Sequence, residues 1–360
     1  MSVNADLEAW LRLSLQPGLG HQSLRKLLVA LGSPANILAA SQLELCAVVT
    51  EKIALAIRRG GASPEIWSSV GSWLDDPVNH IITLADPDYP QALLEIPDPP
   101  PLIYVKGRLD LLNLPGFAIV GSRNATAQGL ANAGAFAAAL SNAGLTIVSG
   151  LALGVDAAAH RGGLEGTSST IAVIGTGLDV VYPARNRDLA HQIAARGTLV
   201  SEFPLGTPAL AANFPRRNRL ICGLSKGCLV VEAAISSGSL ITARLATDQG
   251  RDVFAIPGSI HSPLAKGCHA LIKQGAKLVE SAQDVLEELG LAERATPLTP
   301  STGAVDADPL LVHIGFDPVD IDTLQQRSGL DIGMINTGLT DLELAGLVEA
   351  LPGGRWQRVS

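Results

Sequence analysis

Glycine-rich turns follow four of the apolar runs in the middle of this 360-residue chain. Glycine removes side-chain bulk where a strand would end, so backbone N–H groups can face a ligand there. Turns on successive parallel strands meet at the same edge of a sheet. Together they predict a site for a phosphate or phosphodiester. The turns begin at Gly121, Gly150, Gly175 and Ser236.

Arginines accompany these turns and supply the positive charge that a phosphate requires. Arg123 stands in the first turn, and Arg185 follows a Tyr-Pro pair. The segment 213–219 reads NFPRRNR and places three arginines within four residues, beside an aromatic residue. This pattern suits single-stranded nucleic acid, because bases stack on rings and phosphates pair with guanidinium groups. A solvated helix start is the alternative for this segment, and the neighbouring glycine turns favour binding.

Other ligand and reaction classes fit the sequence less well. The first turn lacks the G-x-G-x-x-G pattern of dinucleotide sites, and no P-loop sequence occurs. Asp156 and His160 lie four residues apart without a third ligand or an H-E-x-x-H pattern, so a capping aspartate with a hydrogen-bonded histidine is favoured over a metal or acid–base pair. Two alternatives stay open: an enzyme that acts on a nucleotide with Asp156 or Glu232 as general base, and a dinucleotide sensor.

Composition and charge restrict the class of protein. Hydrophobic residues make up 47% of the chain and charged residues 17%, which excludes a disordered chain. The net charge of −8 is unevenly spread: residues 86–285 carry 16 basic and 15 acidic side chains, whereas residues 286–360 carry 4 and 12. The middle of the chain can therefore hold an anion, and the acidic excess lies in the tail.

Nothing in the sequence directs the chain to a membrane or to secretion. The amino terminus lacks a basic segment followed by an apolar one, and no stretch approaches the ~20 apolar residues of a membrane span. The cysteines form no C-x-x-C pair and stand in apolar stretches, so we expect reduced, buried thiols in a cytoplasmic protein without metal or cofactor. They are Cys46, Cys222, Cys228 and Cys268.

The pattern of apolar residues predicts three folded parts. Residues 86–285 alternate apolar runs with Ala-rich segments, which predicts an α/β, Rossmann-like, doubly wound and mostly parallel sheet. Leucines at three- and four-residue spacing predict a helical module over 1–85 that resembles SAM-like and helix-hairpin-helix modules. Residues 286–308 have the composition of a linker, and 309–360 have the element order of a winged helix. The predicted strands are Phe117–Val120, Leu145–Val148, Thr170–Ile174, Thr198–Ser201, Gly227–Val231 and Asp252–Ala255.

The predicted winged-helix module has the wrong charge for a DNA reader. Its expected recognition helix, 331–347, holds Asp331, Asp341 and Glu343 and neither lysine nor arginine. Phosphates repel such a helix, so we expect this module not to bind DNA. A protein-binding or autoregulatory role is the hypothesis for it.

Five motifs follow one another within residues 86–285. They are Gly121-Ser122-Arg123; Ser149-Gly150-Leu151-Ala152 with Gly154-Val155-Asp156; Gly175-Thr176-Gly177 with Tyr182-Pro183 and Asn186; Phe214-Pro215 with Arg217-Asn218-Arg219; and Ser237-Gly238-Ser239-Leu240-Ile241-Thr242. This series resembles the DNA processing protein A family (DprA/Smf). The resemblance implies a cytoplasmic, non-enzymatic protein that binds and protects incoming single-stranded DNA. It also implies a homodimer formed through the Rossmann domain and loading of the RecA recombinase during natural transformation.

The resemblance also implies which residues contact nucleic acid. At three places the sequence departs from the family pattern, because Ala184, Ser236 and the stretch Ala211–Asn213 stand where members often carry basic residues. Arg185 and Arg216 are the candidates to replace those charges. The expected contacts are Gly121, Ser122, Arg123, Gly150, Arg185, Asn186, Phe214, Arg216, Arg217, Asn218, Arg219, Gly238 and Ser239.

Overall fold

A computed structural model describes residues 5–60, 64–291 and 310–359 of the chain. Its first part is helical, as the leucine spacing predicts, and Leu24 and Leu27 are buried in a small apolar core of their own. Trp10 and Leu11 instead pack against the next part of the chain, where they contact a cluster that contains Tyr104. The helices of this part are α1 (Ala5–Ser14), α2 (His21–Leu31), α3 (Pro34–Ala39), α4 (Gln42–Cys46), α5 (Glu51–Arg59) and α6 (Pro64–Leu74).

A nine-stranded sheet forms the centre of the described structure. Its order is β1-β2-β6-β5-β4-β3-β7-β8-β9. Strands β3 to β9 run parallel, and β1 and β2 are antiparallel additions at one edge, so the prediction of a mostly parallel sheet is confirmed. The strands are β1 (Asn79–Thr83), β2 (Leu102–Gly107), β3 (Gly116–Val120), β4 (Thr146–Ser149), β5 (Thr170–Val173), β6 (Thr198–Ser201), β7 (Gly227–Val230), β8 (Asp252–Ala255) and β9 (Lys277–Leu278).

Helices cover both faces of the sheet, and strand β3 shows why. Phe117 and Ile119 belong to the apolar cluster on one face, whereas Ala118 and Val120 belong to the cluster on the other. Side chains alternate along a strand, so a strand that is apolar at every position must be covered twice. The helices are α7 (Gln91–Leu94), α8 (Ala127–Asn142), α9 (Val155–Glu165), α10 (Arg187–Arg196), α11 (Asn213–Gly223), α12 (Ser239–Asp248), α13 (Lys266–Lys273) and α14 (Ala282–Glu288).

Two boundaries in the structure differ from the expected ones. Residues 79–83 were assigned to the helical module, but they form strand β1, which pairs with β2 and so extends the sheet. The expected linker at 286–308 begins inside α14, and its residues 292–308 lie outside the described part of the chain.

The carboxyl-terminal part has the winged-helix order of two helices followed by a β-hairpin, as predicted. Leu324, Ile335 and Leu339 are buried in its own core. Its strands form a sheet in the order β10-β12-β11. The elements are β10 (Val319–Asp320), α15 (Ile321–Ser328), α16 (Ile332–Leu344), β11 (Val348–Leu351) and β12 (Arg355–Arg358).

Three of the cysteines are buried, but Cys46 is exposed at the end of α4, so the expectation of a buried thiol is wrong for Cys46. Its neighbour Leu45 faces the core of the helical module, whereas Leu43 is exposed as Cys46 is. Burial raises the pKa of the Cys222 thiol to about 12, which keeps it unreactive. None of the helices in the described ranges has the length and apolar character needed to cross a membrane.

Helices α8 and α9 pack unusually closely because glycine and alanine line their contact. Gly162 on α9 lies directly against Gly134 on α8, and a Cβ atom at position 162 would overlap the carbonyl oxygen of Gly134. Both helices start at the same edge of the sheet, right after the turns at residues 121–126 and 150–154. Their contact therefore fixes those two turns relative to each other.

This packing predicts opposite effects for two glycine-to-alanine changes. Gly162→Ala should lower the free energy of unfolding by about 1–3 kcal/mol, because the helices must separate. Gly134→Ala is the control: its Cβ would meet nothing closer than the Ala158 oxygen at 3.9 Å, and alanine favours a helix by up to about 1 kcal/mol. Urea denaturation measures both, and equal losses for the two variants would contradict the packing argument.

Candidate nucleic-acid interface

A cavity of about 730 Å³ opens at the carboxyl edge of the parallel strands. The turns after β3 and β7 form two of its sides, through residues 120–124 and through residues 234 and 236–239. These strands are neighbours, but the chain leaves β3 towards β4 and returns to its other side only at β7. The connections on the two sides diverge at this point, which opens a crevice in doubly wound sheets. We call it the strand-end cavity.

Helix α11 forms another wall of the strand-end cavity. Phe214, Arg217 and Asn218 line it from this helix. The ring of Phe214 lies 5.5 Å from the ring of Tyr182, centroid to centroid, and Tyr182 also lines the cavity and is half exposed. The two rings together offer an aromatic surface on which a base can stack.

Arg217 is almost completely buried, and it holds α11 onto the ends of two strands. Its Nη1 donates to the carbonyl oxygen of Gly150, which begins the turn after β4, and to that of Val173, which ends β5. Its Nε donates to the side-chain oxygen Oδ1 of Asn218 at 3.1 Å. The side-chain nitrogen Nδ2 of Asn218 therefore points away from Arg217. Burial lowers the pKa of Arg217 to about 10, with Asp156 opposing the shift, and the guanidinium stays charged at neutral pH.

The turn at residues 150–154 is held by four side chains: Arg217, Asp156, Asn186 and His160. Asp156 accepts from the N–H groups of Gly150 and Ala152, at 3.1 and 3.3 Å. Asn186 donates from Nδ2 to the carbonyl oxygens of Leu151 and Ala152, at 2.9 and 3.1 Å. Leu151 has a φ of +58°, which costs energy for a residue with a side chain and persists only under such constraint. We call this turn the Gly150 loop.

His160 completes the support of the Gly150 loop from below. Its Nε2 accepts from the N–H of Leu151 at 3.3 Å, and its Nδ1 lies 2.7 Å from the hydroxyl of Thr170. That hydroxyl donates to the Ile147 carbonyl, so Nδ1 must carry the hydrogen and the ring is neutral. Burial lowers the pKa of His160 to about 3.

Glycine is required at two positions where the loops touch their neighbours. A Cβ atom at position 150 would collide with the guanidinium of Arg217. At Gly154 the φ is +76°, and a Cβ would overlap the carbonyl oxygen of Ser122 in the next turn. These glycines therefore allow the turns and α11 to fit together, rather than exposing N–H groups to a ligand.

Glu232 occupies the amino terminus of α8. It accepts from the N–H of Thr126 at 3.0 Å and from its hydroxyl at 2.6 Å. A carboxylate at this position satisfies the helix dipole from within the protein. Glu232 therefore partly offsets the positive end of the α8 dipole, so this helix start is a poor position for a phosphate.

Arg123 and the turn before α12 are the groups that face the strand-end cavity openly. Arg123 is exposed, and no hydrogen bond or ion pair of its side chain occurs within the described ranges. Across the cavity, the hydroxyls of Ser237 and Ser239 lie 2.7 Å apart, and Gly238 between them has open space where a Cβ would stand. The cavity thus combines a free cation, hydroxyl groups and an uncrowded helix start.

The structure brings together eight of the thirteen predicted contact residues. Gly150 and Asn186 lie beneath the cavity and support its floor, and Arg185 is exposed on the turn that follows Tyr182. Arg216 and Arg219 point to another side of α11, where both pair with Glu202. The eight that line the cavity are Gly121, Ser122, Arg123, Phe214, Arg217, Asn218, Gly238 and Ser239.

The three arginines of segment 216–219, predicted to act together, thus lie on different sides of α11. Successive residues on a helix are about 100° apart, so Arg217 and its neighbours at 216 and 219 cannot face one ligand together. Sequence reasoning also missed Tyr182 as a cavity residue, although the Tyr-Pro motif was visible, and it missed Glu202, which no motif marks.

Asp156 and His160 support the loop and do not form a metal or acid–base pair. Within residues 5–60, 64–291 and 310–359, no group of three His, Cys, Asp or Glu side chains is close enough to hold a metal ion. Burial raises the pKa of Asp156, opposed by the charge of Arg217 and by the N–H groups that it accepts.

The fold and the cavity define a class of protein: a doubly wound, Rossmann-like domain with a cavity at its switch point, followed in the chain by a winged-helix module. A family model, DNA recombination-mediator protein A, matches residues 80–290, and the DprA winged helix domain matches residues 293–354. The chain belongs to the DNA recombination-mediator protein A family.

Individual relatives agree with this membership. The Smf protein of Escherichia coli is 40% identical over 365 residues, which cover 97% of this chain and 95% of the relative. The crystal structure of DNA processing protein A from Streptococcus pneumoniae superposes with a TM-score of 0.69 at 39% identity, over 80% of this chain and 99% of that one. DNA processing protein A from Helicobacter pylori, a protein with a single-stranded DNA binding mode, gives 0.53 at 31% identity, over 58% and 95%.

The neutral state of His160 predicts a pH dependence of stability. The histidine titrates near 6.5 when unfolded and near 3 when folded, so the unfolded chain binds the extra proton as the pH falls. Its contribution to stability is complete above pH 6.5 and decreases below it, by about 2 kcal/mol at pH 5. Thermal or urea unfolding at pH 7 and pH 5 should show a smaller decrease for His160→Gln. Equal decreases in the two proteins would contradict the assignment.

Proposed function

We propose that the protein binds single-stranded DNA at the strand-end cavity and acts as a non-enzymatic mediator of recombination. The observation that carries this proposal is the pairing of a free cation, Arg123, with an aromatic surface at the switch point of the sheet. A guanidinium suits a phosphate, and the rings of Tyr182 and Phe214 suit a base. Membership of the family and the single-stranded DNA binding of the Helicobacter pylori relative support the same ligand.

Further parts of the proposal rest on family membership. We propose that the protein works in the cytoplasm, forms a homodimer through its Rossmann-like domain, protects single-stranded DNA and loads the RecA recombinase during natural transformation. The DNA-binding domain is proposed to span residues 86–285, with the helical module before it. The acidic winged-helix module is proposed not to bind DNA, since Asp331, Asp341 and Glu343 are all exposed.

Asp156 and Glu232, the two candidates for a general base, give no support to the alternative of a nucleotide-processing enzyme. Asp156 accepts from two N–H groups of the Gly150 loop, and Glu232 accepts from the backbone and hydroxyl of Thr126. A general base needs an acceptor oxygen that is directed at the substrate. Both residues instead use their oxygens to fix turns that shape the strand-end cavity.

The cavity carries little positive charge for a nucleic-acid site. Ala211 and Ser236, which stand near or at places where family members often carry basic residues, both line it. Arg217 is occupied by carbonyl groups of the protein. The electrostatic part of the binding is therefore expected to depend strongly on Arg123.

The first test compares two arginine variants in a gel shift with single-stranded and duplex DNA across a salt series. Arg123→Ala should weaken binding to single strands. The salt dependence, measured as the slope of log K against log salt concentration, should become shallower by ~0.7, which is the contribution of one phosphate contact. Arg108→Ala is the matched control. Arg108 is exposed, and it follows β2 beside the first residue of β6. It therefore lies at the amino-terminal ends of the parallel strands, opposite the strand-end cavity. An equal change in both variants, or none in Arg123→Ala, contradicts the proposed site.

The second test uses Gly238, a glycine that the fold does not require. Its φ is negative and a Cβ would meet nothing within 4 Å, so Gly238→Ala should leave the free energy of unfolding unchanged. A DNA backbone close to this turn would collide with the added methyl group, so the affinity for single-stranded DNA should fall several-fold. Gly71→Ala on α6 is the control for affinity, since its Cβ also meets nothing: it should leave DNA binding unchanged, and as a helical position it should raise the free energy of unfolding by up to about 1 kcal/mol. Full affinity of Gly238→Ala would place the DNA elsewhere.

A further inference from the structure

Arginines of α11 and residues of the helical module meet around a buried glutamate. Nη2 of Arg219 and of Arg216 lie 2.5 and 3.3 Å from Oε2 of Glu202, whose side chain is completely buried. His21 on α2 lies 3.1 Å from Arg216 through its Nε2, and its Nδ1 lies 3.6 Å from Glu202. Asp98 lies 3.8 Å from Arg219. We call this set the Glu202 cluster: His21, Arg25, Asp98, Glu202, Arg216 and Arg219.

The Glu202 cluster joins two parts of the chain that are far apart in sequence. Arg25 on α2 donates to the carbonyl oxygen of Pro97 at 2.8 Å and lies 4.0 Å from Asp98. Glu202 directly follows β6, at the same edge of the sheet as the strand-end cavity. The helical module therefore helps to cover charges that would otherwise face solvent near the proposed path of the DNA.

The hydrogen bonds of the cluster are incomplete. Among the described residues, Oε1 of Glu202, Oδ1 of Asp98 and Nη1 of Arg219 are buried and have no hydrogen-bond partner. A partly satisfied buried network costs stability, and an apolar replacement of such pairs is often at least as stable. Stability of the folded chain alone therefore does not explain why these charges are held together.

Helix α11 presents its arginines to two different environments. Phe214, Arg217 and Asn218 face the strand-end cavity, whereas Arg216 and Arg219 face the Glu202 cluster. Arg216 is still half exposed, at 48% of its side chain, and its guanidinium lies 5.6 Å from the centre of the Phe203 ring. The same short helix thus carries residues that face the strand-end cavity and two cations that share one acidic partner.

We propose that Glu202 withholds Arg216 and Arg219 from nucleic acid, and so sets how many phosphates the protein contacts. This inference rests on the proposed single-stranded DNA binding. With Glu202 charged, the two guanidinium groups have an internal partner at hydrogen-bond distance. Without that charge, the nearest strong partners for them are the phosphates of a strand that leaves the strand-end cavity along α11.

The test replaces the charge of Glu202 and keeps its shape. Glu202→Gln should make the salt dependence of single-stranded DNA binding steeper by ~0.7 for each released arginine, and up to about 1.4 in all. The triple variant Glu202→Gln, Arg216→Ala, Arg219→Ala should return to the wild-type slope. Arg216→Ala alone should leave the slope of the wild-type protein unchanged, because this arginine contacts no phosphate while Glu202 is charged.

Each result separates this inference from its alternatives. Weaker binding by Glu202→Gln at an unchanged slope would show that Glu202 only positions α11, and it would overturn the inference. If Glu202→Gln does not fold, as judged by circular dichroism, Arg216→Ala and Arg219→Ala provide the test: each should leave the wild-type slope unchanged, and a slope lower by ~0.7 in either variant would show a phosphate contact while Glu202 is charged and would overturn the inference. Failure of the wild-type protein to bind single strands at low salt overturns the proposed function itself, whereas wild-type binding with a slope that a folded Glu202→Gln variant does not raise overturns this inference alone.

Discussion

The geometry of the candidate site depends on one buried guanidinium. Arg217 is the point where α11, the end of β4 and the end of β5 are joined, through its bonds to the carbonyl groups of Gly150 and Val173. A buried charge is tolerated only when it is paired and hydrogen-bonded, and here Asp156 and the carbonyl groups meet that condition. If Arg217 gave up these bonds to contact DNA, α11 would lose its fixed position, and Phe214 and Asn218 would lose theirs with it. A residue type that suggests phosphate binding thus serves first to build the wall of the cavity.

Much of the fold could be predicted because its signals are local. The predicted strand Phe117–Val120 is apolar at every position, and Asp252–Ala255 is apolar after its first residue; the structure has both within one residue of the expected ends. Strand β1 was missed because its sequence, NHIIT, is short and mixed, and only pairing with β2 makes it a strand. Cys46 was expected to be buried because its neighbours are apolar, but the helix turns it outward.

The site could be predicted only in part, since sequence proximity does not specify the side of a helix that a residue faces. The glycine turns and Arg123 were placed correctly at one edge, because parallel strands bring their carboxyl ends together. Arg216 and Arg219 were grouped with Arg217, and their true partner, Glu202, stands alone in an ordinary loop sequence. Gly150 and Asn186 belong to a recognisable motif, yet their bonds run within the protein. A motif therefore marks the neighbourhood of the cavity without distinguishing its lining from its supports.

The close contact of α8 and α9 has a consequence for the thermodynamics of association. The turn at residues 121–126 and the Gly150 loop touch each other at Gly154, and Asp156 and His160 hold the Gly150 loop in its conformation. A site that is already ordered loses little conformational freedom on binding, so in the proposed complex most of the entropic cost would fall on the flexible single strand. Such a rigid receptor suits a ligand of variable base sequence, because the same few attachment points recur at every nucleotide along the strand.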